Sequence, residues 1–251
     1  MLDAPNLRLS FQNRLLSVLP EGEFEYLAPH LEPVSFPRGT AISQAGDNLT
    51  RCYFPTDGMI SLLSVTEQGH AVEVGFIGSE GMVGLPIILG QNEMPYQALV
   101  QVKSDCLGVD SKYVRELFDQ GGVFHDIALR YLYVIIRQVG QTCVCNHFHT
   151  IEARLCRWLT VMGERSNTNH LILTQEFLAH MLGVQRTSIG LIANSLQQKG
   201  VIRYSRGKVE ILQPDELKKL SCECYSVVHD EYQKFLLDKN FQAMSGTRQT
   251  I

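Results

Sequence analysis

A chain of 251 residues, 45% apolar and 19% charged, is long enough for two domains with cores of their own and too apolar for wholesale disorder. The net charge of −4 excludes a uniformly basic coat for nucleic acid, but the charge is uneven: residues 1–149 hold 9 Lys and Arg against 16 Asp and Glu, residues 150–213 hold 8 against 4, and residues 214–251 hold 5 against 6. No stretch reaches the roughly 18 apolar residues of a membrane span, residues 1–20 lack a basic start leading into an apolar run, and 7 scattered cysteines make no disulfide framework, so a reduced cytoplasmic protein with no membrane partner is expected.

From Val34 to Val109 short apolar runs alternate with turn signals at Pro37-Arg38-Gly39, Gly46-Asp47-Asn48, Asp57-Gly58, Glu67-Gln68-Gly69 and Gly78-Ser79-Glu80-Gly81. That spacing predicts an antiparallel roll or barrel. Met59–Val65 and Tyr96–Val102 read as strands, and Gly75–Gly84 as a turn with a short helix.

After Gly121-Gly122 the period becomes helical, and from Phe124 to about Asn146 two adjoining apolar stripes run along one rod of about 34 Å. Ile127, Tyr131 and Val134 form one; Ala128, Leu132, Ile135 and Val139 form the other. A surface helix needs one stripe, so the second predicts a homodimer, with burial of the whole helix inside one chain as the alternative. Asn146–Thr150 interrupts the helix as a hinge, Thr150 caps the next, and Ile151–Glu164 turns Leu155, Trp158, Leu159 and Met162 inward. Ser166–His170 reads as a polar loop.

Between Leu173 and Leu212 lies the spacing of a helix-turn-helix with a two-stranded wing. Thr174 caps the first helix; counting from Gln175, Ala179 stands fifth and Gly183 ninth, where close contact and a tight turn are needed, and Leu178, Leu182, Val184, Ile189 and Ile192 fall where crossed helices bury side chains. The second helix then turns Arg186, Thr187, Ser188, Gly190 and Leu191 outward, on a rod that fits a DNA major groove, with Gln185 just before it. Arg186 can chelate guanine O6 and N7, or make only a phosphate contact or an intramolecular pair. Thr187 and Leu191 offer methyl groups to thymine. Wing strands Val201–Tyr204 and Lys208–Leu212 meet through Ser205-Arg206-Gly207 and gather Arg203, Arg206 and Lys208 for phosphates. Pro214-Asp215-Glu216 opens a last helix through about Leu237, and Gln242–Ile251 looks frayed.

Over nearly its whole length the chain resembles the Crp/Fnr family of bacterial transcription regulators. Val34-Ser-Phe-Pro-Arg-Gly39, Gly46-Asp47, Tyr53-Phe-Pro-Thr-Asp-Gly58 and Gly75–Leu85 are similar to that family's cyclic-nucleotide-binding-like roll, and Thr174–Ile211 to its winged helix. Leu173-Thr-Gln-Glu-Phe-Leu-Ala179, Ile202-Arg-Tyr-Ser-Arg-Gly207 and Ser221-Cys-Glu-Cys-Tyr225 resemble one subgroup.

The resemblance implies an α+β fold: a β-roll (jelly-roll) sensor over residues 1–122, a dimerisation helix and hinge over 123–149, a winged helix-turn-helix over 150–213 and a C-terminal helix and tail over 214–251. It implies a non-enzymatic, sequence-specific regulator bound to double-stranded DNA at an inverted repeat, with a small-molecule effector of unknown identity and RNA polymerase as a candidate partner.

Two departures bear on the effector and the operator. Where family members present Arg, Glu and Arg from the recognition helix, this chain has Arg186, Thr187 and Leu191. Cyclic-AMP-binding members set a Glu on the ribose and an Arg on the cyclic phosphate; Glu80 matches the first, but no Lys or Arg occurs from Cys52 through Val102. The candidate effector pocket is Gly78, Glu80, Gly81, Met82 and Gly84, without tight cyclic-AMP binding. A constitutive DNA binder whose roll is a dimerisation scaffold is the rival reading.

Cys143-Val-Cys145-Asn-His147-Phe-His149 could make a metal or redox sensor near the hinge, Cys143 and His147 sharing a helix face. Zinc sites usually pair separated ligand couples, and the family's iron–sulfur sensors carry an N-terminal cysteine cluster that residues 1–30 lack, so packing roles and no cofactor are expected. Cys222-Glu-Cys224, on the expected last helix, points its sulfurs apart and cannot readily share a disulfide or an ion, so packing by one cysteine is expected.

Overall fold

The computed structural model describes residues 12–166 and 168–237. They divide into two compact units, one built from the chain up to Leu62, Phe76–Arg137 and the chain from Asp230 onward, the other from Leu63–Gly75 and Gln138–His229.

The first unit opens with α1 (Arg14–Ser17) and α2 (Glu21–Leu27). Two sheets follow in the chain: β1 (Glu32–Phe36), β7 (Ser104–Asp110) and β3 (Arg51–Pro55) in one, β2 (Ala41–Ser43), β6 (Gln97–Val102), β4 (Met59–Val65) and β5 (Ala71–Ile77) in the other, with the Leu63–Gly75 part of β4 and β5 counted in the second unit. Alternation of apolar and polar residues makes β3 and β7 hand Cys52, Phe54, Leu107 and Val109 to the core, all essentially without solvent contact. Asn13 ties the entry helix to this roll: its Oδ1 accepts from the Leu15 and Leu16 amides, and its Nδ2 donates to the Pro55 and Gly81 carbonyls at 2.8 Å each. Gly75 ends up inside β5, so the glycine-rich stretch supplies the end of a strand and a turn, and the short helix expected within it, a 3-10 helix, begins just beyond it at Leu85–Leu89.

After α3 (Ser111–Asp119), Gly121 and Gly122 take positive φ and let the chain enter α4 (Val123–Phe148). The Glu23 carboxylate accepts from the Val123 and Phe124 amides at 2.8 and 2.7 Å, placing negative charge on the positive end of the helix dipole. Ile127, Ala128, Tyr131, Val134 and Ile135 are buried, and Leu132 and Val139 half-buried, so both expected stripes turn toward the chain itself. A third row, Leu129, Tyr133, Ile136 and Val144, is 40–60% exposed, with exposed Gly140 between them and Phe148 73% exposed beyond. α4 runs two residues past Asn146 before Thr150, whose hydroxyl accepts from the Ala153 amide, starts α5 (Ile151–Ser166).

In the second unit α5 buries Leu155, Trp158, Leu159 and Met162 as its pattern requires. β8 (His170–Ile172), α6 (Gln175–Leu182), α7 (Arg186–Gln198), β9 (Ile202–Ser205) and β10 (Lys208–Ile211) follow, with sheet order β8-β10-β9. The wing is therefore three-stranded; part of the expected polar loop pairs with β10, and only Leu171 of β8 is buried. The expected single last helix is two, α8 (Pro214–Leu220) and α9 (Cys224–Leu236), because Ser221 is extended at φ −71°, ψ 150°. Gln242–Ile251 lies outside the described residues. Among the described residues no helix is long and apolar enough to cross a membrane.

Candidate nucleic-acid interface

Local chemistry builds the helix-turn-helix. The Thr174 side chain accepts from the Phe177 amide at 3.1 Å to start α6, and Gly183 stops it in the left-handed region at φ 61°. Leu178, Ala179, Leu182 and Ile189 are buried between the helices as expected, while Val184 and Ile192 are half-buried. Arg154, buried in α5, donates to the carbonyl of Leu182, the last residue of α6.

Gln185 stands as N-cap of α7, and Gln185, Arg186 and Thr187 are exposed; Leu191 is 75% exposed, high for a leucine. Ser188 and Gly190 are half-buried instead of outward, Gly190 facing the Gln175 amide. The outward row continues to Asn194 and Gln198, which the spacing argument left out although both sit three or four residues beyond Leu191 and its own next position. An Asn on such a row can pair with adenine N6 and N7.

The wing is bound back to the helices: the Tyr204 hydroxyl donates to the Leu173 carbonyl at 3.0 Å and its amide to the Gln197 side chain at 2.9 Å. Burial raises the Tyr204 hydroxyl above its ordinary value, and the Arg186 charge opposes this. The β9–β10 turn is Arg206-Gly207, both at positive φ (49° and 74°), the pairing of a two-residue hairpin turn that matches strand twist. Arg206 and Lys208 are exposed; Arg203 is exposed too but pairs with Glu210 at 2.6 Å, which subtracts from its charge toward a phosphate.

In the roll, buried Glu80 accepts from the Gly78 amide at 3.0 Å, and Met82 is fully buried. A Cβ on Gly81 would overlap the Tyr131 ring, and one on Gly84, at φ 106°, would come within 2.7 Å of Cys52 Sγ. These two glycines make room for the protein's own side chains.

The cysteine pattern differs from the expected one. Cys143 and His147 are exposed on α4, whereas Cys145 and His149 meet Cys222 and Cys224, all four ligand atoms lying within 4.8 Å of one another. Cys222 and Cys224 would diverge on one continuous helix, but Cys222 lies in the extended link before α9, and the two sulfurs converge. A hydrogen bond from Cys222 draws the Cys145 thiol well below the ordinary thiol range, against burial and with help from the Arg157 charge. Burial first, and nearby carboxylate charge after it, push Cys106 and Cys156 up to about 12.

Roll, helix and wing define a winged-helix DNA-binding protein with a cyclic-nucleotide-binding-like domain. A model of the Crp-like helix-turn-helix domain matches residues 153–220 and one of the cyclic nucleotide-binding domain matches residues 33–121. The chain is 21% identical over 200 residues to a CRP-like cAMP-activated global transcriptional regulator of Mycobacterium tuberculosis, covering 77% of this chain and 89% of that one. It is 22% identical over 194 residues to a global nitrogen regulator of Nostoc sp., covering 74% and 87%. The solved structure of a Crp/Fnr-family protein from Eubacterium rectale shares the fold with a TM-score of 0.68 at 17% identity, covering 82% of this chain and 96% of that one. The chain belongs to the Crp/Fnr family of DNA-binding transcription regulators.

Proposed function

We propose that the protein is a cytoplasmic homodimer that reads an inverted-repeat operator, each α7 entering one of two major-groove half-sites about one helical turn apart. The carrying observation is the exposed face of α7, where Thr187, Leu191 and Asn194 line one side of a rigid helix, Arg186 stands at its start, and Arg206 and Lys208 flank it from the wing. Base-edge groups on the helix and cations beside it are the division of labour between reading sequence and holding phosphates. Residues 1–122 then act as the roll, 123–149 as the pairing helix and hinge, 150–213 as the reading head and 214–251 as its C-terminal support.

Selection from a random DNA pool is expected to return a palindrome with a guanine fixed in each half-site. Arg186→Ala should cost about 1–3 kcal/mol at that position and leave random-sequence affinity nearly unchanged. Equal losses on both DNAs would make Arg186 a phosphate anchor, and a pool without symmetry would refute the paired reading.

The Mycobacterium relative is cAMP-activated, but in this chain a cyclic phosphate in the Gly78–Gly84 region would meet no Lys or Arg from residues 52–102. Backbone amides alone hold an anion more weakly than a charge-assisted pair. Calorimetric titration with cyclic AMP is therefore expected to give no micromolar binding; a micromolar or tighter constant refutes this. The occupation of the Gly81 and Gly84 surroundings by Tyr131 and Cys52 favours a second reading, in which the roll is a scaffold and DNA affinity does not respond to metabolites.

A further inference from the structure

We propose that Cys145, His149, Cys222 and Cys224 form a tetrahedral zinc site in the second unit. Cys145 and His149 are one helical turn apart, the His149 amide donating to the Cys145 carbonyl at 3.2 Å, so their side chains leave the end of α4 on one face. The extended Ser221 brings Cys222 and Cys224 opposite them.

The aperture fits a single ion. Cys145 Sγ lies 3.5 Å from Cys222 Sγ, and Cys224 Sγ lies 3.4 Å from His149 Nδ1. Ligands on a tetrahedral zinc stand about 3.5–3.8 Å apart along each edge, so the widest separation of 4.8 Å needs only a small contraction. A cluster whose cysteines sit on separate irons holds its sulfurs further apart. Three thiolates with one imidazole suit zinc among the common divalent ions, and four protein ligands leave no open position, which makes the site structural.

The surroundings are those of a ligand set. Glu223 Oε1 lies 3.0 Å from His149 Nε2, so a proton on Nε2 would donate to the carboxylate and leave the Nδ1 lone pair facing Cys224 Sγ, the carboxylate–histidine arrangement that orients metal-bound imidazoles. Gln141 donates an N–H to Cys224 Sγ at 3.0 Å. Buried Arg157, whose Nε makes no hydrogen bond among the described residues, bears electrostatically on Cys145 and Cys222. Zinc binding by three thiols and a neutral imidazole releases three protons to solvent and leaves one net negative charge, which Arg157 offsets. Buried cysteines packed only as small apolar groups would not need this polar shell.

Full-length protein prepared without an affinity tag is expected to carry about one zinc per chain by elemental analysis. Cobalt added to the metal-free protein should give thiolate-to-cobalt charge-transfer absorption and the strong visible bands of a tetrahedral ion, a readout that needs no variant. Glu223→Gln should weaken metal binding about 10–100-fold with the fold retained; Cys143→Ser and His147→Ala should bind as the parent does. Less than roughly a tenth of an equivalent of zinc with no cobalt–thiolate band overturns the proposal. So does a Cys145–Cys222 disulfide in peptide maps of protein prepared anaerobically, or metal lost with Cys143 and His147 instead. DNA binding is measured apart from all of these, so either reading can fail alone.

Discussion

Ile136→Glu is expected to convert the protein to a monomer and to lower its affinity for a two-half-site operator about 10²–10⁴-fold. Ile136 is 60% exposed in the middle of a row with Leu129, Tyr133 and Val144 on α4, and Gly140 in the same row has nothing within 4 Å of a would-be Cβ. Successive spacings of four, three, four and four residues keep the row within a narrow sector of the helix, and the small residue lets a second helix approach closely. Burying such side chains contributes about 1.5–3 kcal/mol each, and a twofold contact counts every residue twice. A glutamate at the centre faces its own copy and stays charged in a dry interface, which is costly for an unpaired carboxylate. The loss in affinity exceeds what the DNA contacts explain because each head must then bind alone. Sedimentation analysis and gel shifts on one and two half-sites measure both effects. Tyr133→Phe, which keeps the apolar face, should remain dimeric and bind normally. An Ile136→Glu protein that stays dimeric with undiminished operator affinity refutes the pairing surface.

The reading head was legible in the sequence because its requirements are local. Thr174 must cap, Ala179 must be small and Gly183 must take positive φ within nine residues, and no distant contact is needed to recognise that combination. β8 was not, since a strand of three residues with one buried side chain carries too little alternation to separate it from a loop. On α4 the existence of surplus apolar surface was readable but its direction was not: with apolar residues around more than half the circumference, no polar face sets the phase, and the stripe expected to face a second copy turned inward with the other. The cysteine cluster depends on residues 77 apart in sequence and on the single extended residue Ser221, whose local pattern continues a helix. The glycine-rich stretch announced close approach and gave no sign of what approaches. In the structure it is Tyr131 and Cys52.

Gly81→Ala should destabilise the first unit by about 2–3 kcal/mol, the upper part of the range for overpacking a core, although Ala for Gly at an ordinary backbone position usually stabilises. The added methyl would occupy the place of the Tyr131 ring, which is fully buried and packed against Phe235 at 5.9 Å between centroids. Gly81 cannot retreat freely either, because its amide donates to the Gly78 carbonyl at 3.1 Å and its carbonyl accepts from buried Asn13 at 2.8 Å. Something in a dense core must move, and the midpoint of thermal unfolding should fall by about 5–10 °C for a protein of this size. Tyr131→Leu removes the ring at its own cost in lost packing. In the double variant the Gly81→Ala penalty should largely vanish, giving a coupling energy of about 2 kcal/mol in a double-mutant cycle. If Gly81 instead lines an open ligand cradle, Gly81→Ala leaves the unfolding midpoint within about 1 °C of the parent, the cycle shows additivity, and the account of Tyr131 as the occupant of that space is wrong.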